Sequence, residues 1–191
     1  MNGTLAPRAA VAASAAWSHR IRPLEEESVA LVALRMRAID AREIYACRWR
    51  VDPLEIARQV CALSRFGLVA WTPAGEPAAV VCAREDWPGF YQVAMFATDA
   101  WPLVAASMTR AVLQHMRPAM LAAGARRAEA RSSADHATAH AWLARLGFVA
   151  ECRLPGYGKA GEEFIQFAWR RSADVHVLQS SVAAGAGAAA A

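Results

Sequence analysis

The stretch "AWLARLGFVAECRLPGYGKAGEEFIQFAWRR", residues 141–171, decides the fold. It opens as an apolar helical run and halts at Gly147-Phe148. "FVAECRLPG" and "EEFIQFAWRR" then close as a pair of strands. Glycine just past the last periodic residue is a helix stop, because it takes the left-handed conformation without a Cβ penalty. Upstream, Asp135 is placed to cap the same helix, "DHATAHAWLARLG", and "RRAEARSS" before it reads as a strand. "WPLVAASMTRAVLQHMRPAMLAAG" predicts a long helix, with Pro102 near its start and Gly124 at its C-terminal cap. Pro118 inside it predicts a kink or a split.

The period changes before that helix. "FYQVAMFATD" predicts a strand with Val93 and Met95 on one side and Tyr91 and Phe96 among the rest. "FGLVAWTPAGEPAAVVCARED" predicts two strands around the turn cluster "TPAGEP", with Glu85 and Asp86 as turn residues at its end. "PLEIARQVCALSR" reads as a helix started by Asp52-Pro53, and Asp40 opens the short helix "AREIYACRW". Ser28 is placed to cap "VALVALRMRA", where Leu31, Leu34 and Ile39 trace a stripe and Glu25 to Glu27 favour the positive end. "HRIRPLEEES" can begin as a strand. The order is strand, helices, three strands, helix, strand, helix, two strands, which predicts one α/β domain with a mixed central sheet flanked by helices. Its expected bounds are 19–172, with a flexible Ala-rich arm at 1–18 and a low-complexity tail at 173–191.

With 191 residues, 56% of them hydrophobic, the chain can bury a sizeable core. The formal charge is only +4, and Lys159 is the single lysine. Arginine suits planar contacts and phosphates, although a GC-rich coding sequence explains the same bias. The cysteines Cys47, Cys61, Cys82 and Cys152 have no CxxC spacing, so neither zinc nor a disulfide framework is expected. No apolar run is long enough for a membrane span. Arg126, Arg127 and Arg131 are too few to predict specific nucleic-acid binding, and the sequence interleaves no aromatic stacking platform with them. The tryptophans Trp49, Trp71, Trp87, Trp101, Trp142 and Trp169 read as core packing or as an interface.

The element order and the motif "HATAHAWLARLGF" resemble the GNAT N-acetyltransferase fold over about residues 20–171. A narrower likeness is to a phage-encoded branch of that fold that includes internal virion protein A of short-tailed phages. It is carried by Asp40, Arg42, Glu43 and Ile44, and by the pair Thr98-Asp99 after the central strand. The resemblance implies three requirements for acetyl transfer. The first is a Gly-rich loop whose N–H groups hold the coenzyme A diphosphate at a helix start. The equivalent stretch, Thr98, Asp99, Ala100, Trp101, Pro102 and Leu103, contains no glycine, one acid and one residue without an N–H. The second is a Tyr on the last helix, general acid toward the coenzyme A thiolate, in a motif that also carries an Asn. Leu143 or Trp142 stands at the Tyr position and His136 at the Asn position, where a helix-start His reads as solvated or capping. The third is a general base, for which Gln92 cannot titrate and Glu85 is a weak candidate. His136 and His140 share a helix face but lack a third metal ligand, so no metal is expected.

Together these readings predict a virion-associated structural or assembly protein of a tailed phage, an internal or head–tail junction component on a degenerate acetyltransferase fold. It would bind other virion proteins, with a multi-copy ring as one arrangement, without a cofactor, in the virion. The alternative is an active N-acetyltransferase that uses acetyl-CoA through a diverged loop.

Overall fold

The computed structural model describes residues 20–171; the expected arm and tail lie outside them. The alternating stretches form seven strands in the order β1-β2-β3-β4-β5-β7-β6. They are β1 (Ile21–Pro23), β2 (Phe66–Trp71), β3 (Pro77–Trp87), β4 (Phe90–Ala97), β5 (Arg127–Ser133), β6 (Val149–Leu154) and β7 (Phe164–Arg170). Helices α1 (Glu26–Leu34), α2 (Ala38–Ala46) and α3 (Pro53–Leu63) separate β1 from β2. Between β4 and β5 run α4 (Trp101–Ala111), a π turn (Val112–Met116) and α5 (Arg117–Ala122), and α6 (Ala137–Arg145) precedes β6.

Period-two alternation splits the core across the two faces of the sheet. Leu68, Ala70, Val81 and Tyr91 pack with Trp101, Val104, Met108, Met116 and Trp142 from α4 to α6. Val69, Val80, Cys82 and Phe96 pack with Val29 and Val32 of α1 and with Ile56 and Val60 of α3. Each fully buried side chain of this size contributes about 1.5–3 kcal/mol. All strand pairs are antiparallel except β4 and β5, which run parallel. That pair shares only Phe90↔Arg127, Tyr91↔Ala128 and Gln92↔Glu129, after which the strands part and leave a wedge in the middle of the sheet.

Several local expectations hold. Asp52 accepts from the N–H groups of Leu54 and Glu55 with Pro53 in the first turn, and Gly124 and Gly147 end their helices at φ +88° and +84°. Others are corrected. Ser28 lies inside α1 and donates back to the Glu25 carbonyl, so it caps nothing. The buried side of α1 is Ser28, Val29, Val32 and Ala33, and Leu34 is exposed, because the helix ends there and a new one starts at Ala38. Asp40 sits inside the first turn of α2 and does not open it. Tyr91 shares its face with Val93 and Met95, and Phe96 alone faces the other way. Glu85 and Asp86 belong to β3; the turn is carried by Pro88 and Gly89. Pro118 lacks the N–H that would bond four residues back, and the π turn just before it absorbs that loss without ending the helix. Among the described residues no helix is long and apolar enough to cross a membrane.

Candidate functional site

The wedge between β4 and β5 is where the sheet leaves backbone groups without a strand partner. Ala97, at the end of β4, turns its groups toward this opening, since the next residue, Thr98, bonds the Ala78 carbonyl of the opposite neighbour. The chain itself covers this point. The Arg37 N–H donates to the Ala97 carbonyl at 2.9 Å, the Ala97 N–H donates to Asp40 Oδ2 at 2.7 Å, and Met36 bridges to Thr98.

Asp40 is 1% exposed and anchors a buried polar cluster. Arg37 grips its carboxylate through Nε at 3.1 Å and Nη2 at 2.8 Å. His136 Nε2 stands 3.4 Å from Asp40 Oδ1, and His136 Nδ1 stands 3.0 Å from Glu43 Oε2. The same Glu43 oxygen accepts from Ser132 Oγ and from the Ser133 N–H, at 2.8 and 2.7 Å. Burial pushes the Asp40 carboxyl above its ordinary value, against the opposing pull of Arg37, the Ala97 N–H and His136. His136 is therefore neither solvated nor a side-chain cap: it is 3% exposed, bonded through Nδ1 to Glu43, with Nε2 near Asp40 but without a hydrogen bond. Asp135 does not cap α6 either, and takes Ser133 Oγ and the Arg42 guanidinium instead. His136 and His140 both turn toward the end of β5: His136 meets the Glu43 oxygen that accepts from the Ser133 N–H, and His140 Nε2 meets the Ser133 carbonyl at 3.0 Å. Among the described residues no group of three or more candidate ligands gathers around a metal site.

Behind this cover lies a small apolar cavity of about 120 Å³, walled in part by Val93, Met95, Ala130, Met116, Leu143 and Phe148. Leu143 packs against Ala130 and Phe167, and Trp142 donates Nε1 to Thr109 Oγ1 at 2.9 Å, so neither brings a hydroxyl to this part of α6. At the start of α4 the N–H groups are largely engaged. Thr98 donates to Ala78 O, Ala100 to Thr98 Oγ1, Trp101 to Thr98 O and Leu103 to Ala100 O, and Pro102 has no N–H.

Gln92 sits at the vertex of the wedge, with Nε2 3.4 Å from Glu129 Oε2. Glu129 is 8% exposed and pairs with Arg127 Nε at 2.6 Å and Arg131 Nη2 at 3.7 Å. Sequence reasoning missed it; the signal was a lone acid in "RRAEARSS" with arginines two residues away on either side, hence on one face. Glu85 lies on β3 opposite Tyr91, one residue along from the partner of Gln92, and is bound by Arg65 and by the Gly89 N–H. Burial works to raise its pKa, but these two donors hold it below the ordinary carboxylate range, which suits an ion pair and not a base.

No protein-family model and no curated protein matches the chain. Solved structures do. The ribosomal-protein-S18-alanine N-acetyltransferase from Escherichia coli is 18% identical with a TM-score of 0.58, over 78% of this chain and 92% of its own. Ard1 from Thermoplasma volcanium is 14% identical with a TM-score of 0.59, over 78% and 95%. An acetyltransferase of the GNAT family from Bacillus anthracis is 10% identical with a TM-score of 0.55, over 80% and 95%. These likenesses support the fold and say nothing for the phage-encoded branch. The chain has the single-domain α/β fold of the GNAT N-acetyltransferases.

Proposed function

We propose that this chain is a binding and assembly component of a tailed-phage particle, built on an acetyltransferase fold that no longer takes up its cofactor. The observation that carries the reading is the covered β4 edge. Acetyl-CoA would ask two things of such a fold: an open strand edge for its amide-bearing arm, and free N–H groups at a helix start for its diphosphate. Here Arg37 and Asp40 occupy both backbone groups of Ala97, and four N–H groups between Thr98 and Leu103 are bonded within the chain. The cavity behind, about 120 Å³, is well below the roughly 300 Å³ at which ligand pockets usually begin.

The placement in a phage particle draws on the two short motifs of the sequence. Asp40 of the first holds the residue that precedes Thr98 of the second, so both belong to one structural unit. That supports reading them together. The alternative, an active acetyl-CoA-dependent N-acetyltransferase, draws on the parted β4 and β5 and on buried Glu129 at their vertex.

Calorimetric titration with acetyl-CoA tests the loss of the cofactor. No saturable heat is expected up to about 1 mM, and a dissociation constant in the micromolar range, about −8 kcal/mol, would overturn it. Antibody detection in washed particles tests the location: the chain should persist at a fixed ratio to the capsid protein, and its complete removal by washing would refute a virion role.

A further inference from the structure

The wide groove on the α2–α3 side of the sheet has a lining that neither the fold nor the proposed function uses. Its volume is about 1800 Å³, and seven arginines face five carboxylates along it. Three of those arginines differ from the rest. Arg84 holds Asp86 along β3, Arg127 and Arg131 hold Glu129 along β5, and Arg58 stands near Asp52. Arg48 bonds the neutral Gln59, Arg126 bonds the Pro88 carbonyl, and Arg50 lies exposed; among the described residues none of the three has a carboxylate at ion-pair distance. Their charge is available to an anion.

Aromatic rings stand among these cations. Trp49, between Arg48 and Arg50, is 102% exposed, a placement that no packing demand explains. Trp87 is 55% exposed with its other face stacked on Phe90 at 3.9 Å and 10°, so the ring is held flat. Tyr157 is 41% exposed and lies under the Arg131 guanidinium. All three rings line the same groove. This is the platform that the linear sequence did not reveal, because the rings come from the α2–α3 connection, the end of β3 and the β6–β7 connection.

We infer that this groove binds single-stranded nucleic acid without base specificity, with bases stacking on Trp49, Trp87 and Tyr157 and phosphates meeting Arg48, Arg50 and Arg126. An acidic protein segment would use the cations but would leave the exposed faces of Trp49 and Trp87 with nothing to stack on them. The inference rests on the groove alone and stands apart from the proposed loss of cofactor binding.

The test is fluorescence anisotropy of a labelled oligo-dT with the full chain. Three phosphate contacts predict that the association constant falls about 20-fold between 50 and 200 mM salt. Trp49→Ala should weaken binding about tenfold and Trp49→Phe should restore most of it, since one stacked base is lost and then regained. The Trp49 side chain is fully exposed, so its replacement leaves the fold intact, which circular dichroism checks. Arg50→Gln with Arg126→Gln should flatten the salt dependence. No binding at 50 mM salt overturns the inference. Binding that Trp49→Ala leaves unchanged and that polyglutamate displaces as well as oligo-dT also overturns it, and assigns the groove to an acidic protein.

Discussion

Replacing Asp40 by Ala attacks the cover of the wedge at its anchor. The carboxylate is 1% exposed and accepts from Arg37 and from the Ala97 N–H. Its removal leaves a guanidinium whose side chain is only 14% exposed without its partner, and a backbone N–H without an acceptor. Breaking a buried pair from one side costs about 3–5 kcal/mol, and the stranded N–H falls within that figure and does not add to it in full. The whole domain is stable by roughly 5–15 kcal/mol, so the variant should fold but lose a large share of its margin. With a urea m-value of about 2 kcal/mol/M, the denaturation midpoint should drop by about 2 M at unchanged slope. Replacing both members, Arg37→Met with Asp40→Leu, should recover much of the loss, because neither charge is then left alone. A midpoint shift below about 0.5 M for Asp40→Ala would refute the reasoning, since it would mean that water already solvates the pair.

Other outcomes follow from single contacts. Arg127, together with Arg170, holds Glu151 down to about 2 against the effect of burial. A depressed carboxyl stabilises the fold above its ordinary value of 4.5 and loses that contribution as pH falls toward about 2, so acid unfolding should be shallower over that range in Glu151→Gln than in the parent. Tyr91 is fully buried, and its hydroxyl has no well-formed hydrogen bond; burial pushes its pKa up to about 12. Tyr91→Phe should therefore unfold within about 0.5 kcal/mol of the parent in urea. Gly89 sits at φ +81°, and an added Cβ would come 2.8 Å from the Gly124 carbonyl, so Gly89→Ala should lower stability by about 2 kcal/mol or more in the same assay.

What the sequence made legible was local. Asp52-Pro53, Gly124 and Gly147 mark boundaries through the conformations of their own backbone, and the alternation in residues 66–97 needs no distant partner. The parts that escaped depend on partners far along the chain. Asp40, Glu43 and His136 look like surface residues of two short helices until the fold brings them together across 93 to 96 positions. Glu85 and Asp86 read as a turn because paired charges favour turns, yet Arg65 and Arg84 neutralise them within β3. The stripe through Leu31, Leu34 and Ile39 failed because the buried side of α1 runs beside it through Val29, Val32 and Ala33, and Ile39 belongs to the next helix. Glu129 was passed over although Arg127 and Arg131 flank it on one face, because its burial depends on pairing with β4 and β7 on either side.

The central claim is that the backbone at the top of the wedge is already spoken for, and amide NMR reads it directly. Titrating acetyl-CoA into the labelled chain should leave the resonances of Ala97, Ala100 and Trp101 in place up to about 1 mM ligand. Saturable shifts of those amides at micromolar ligand would contradict the account, because they would show the cofactor displacing Asp40 and Thr98 from the backbone groups that they hold.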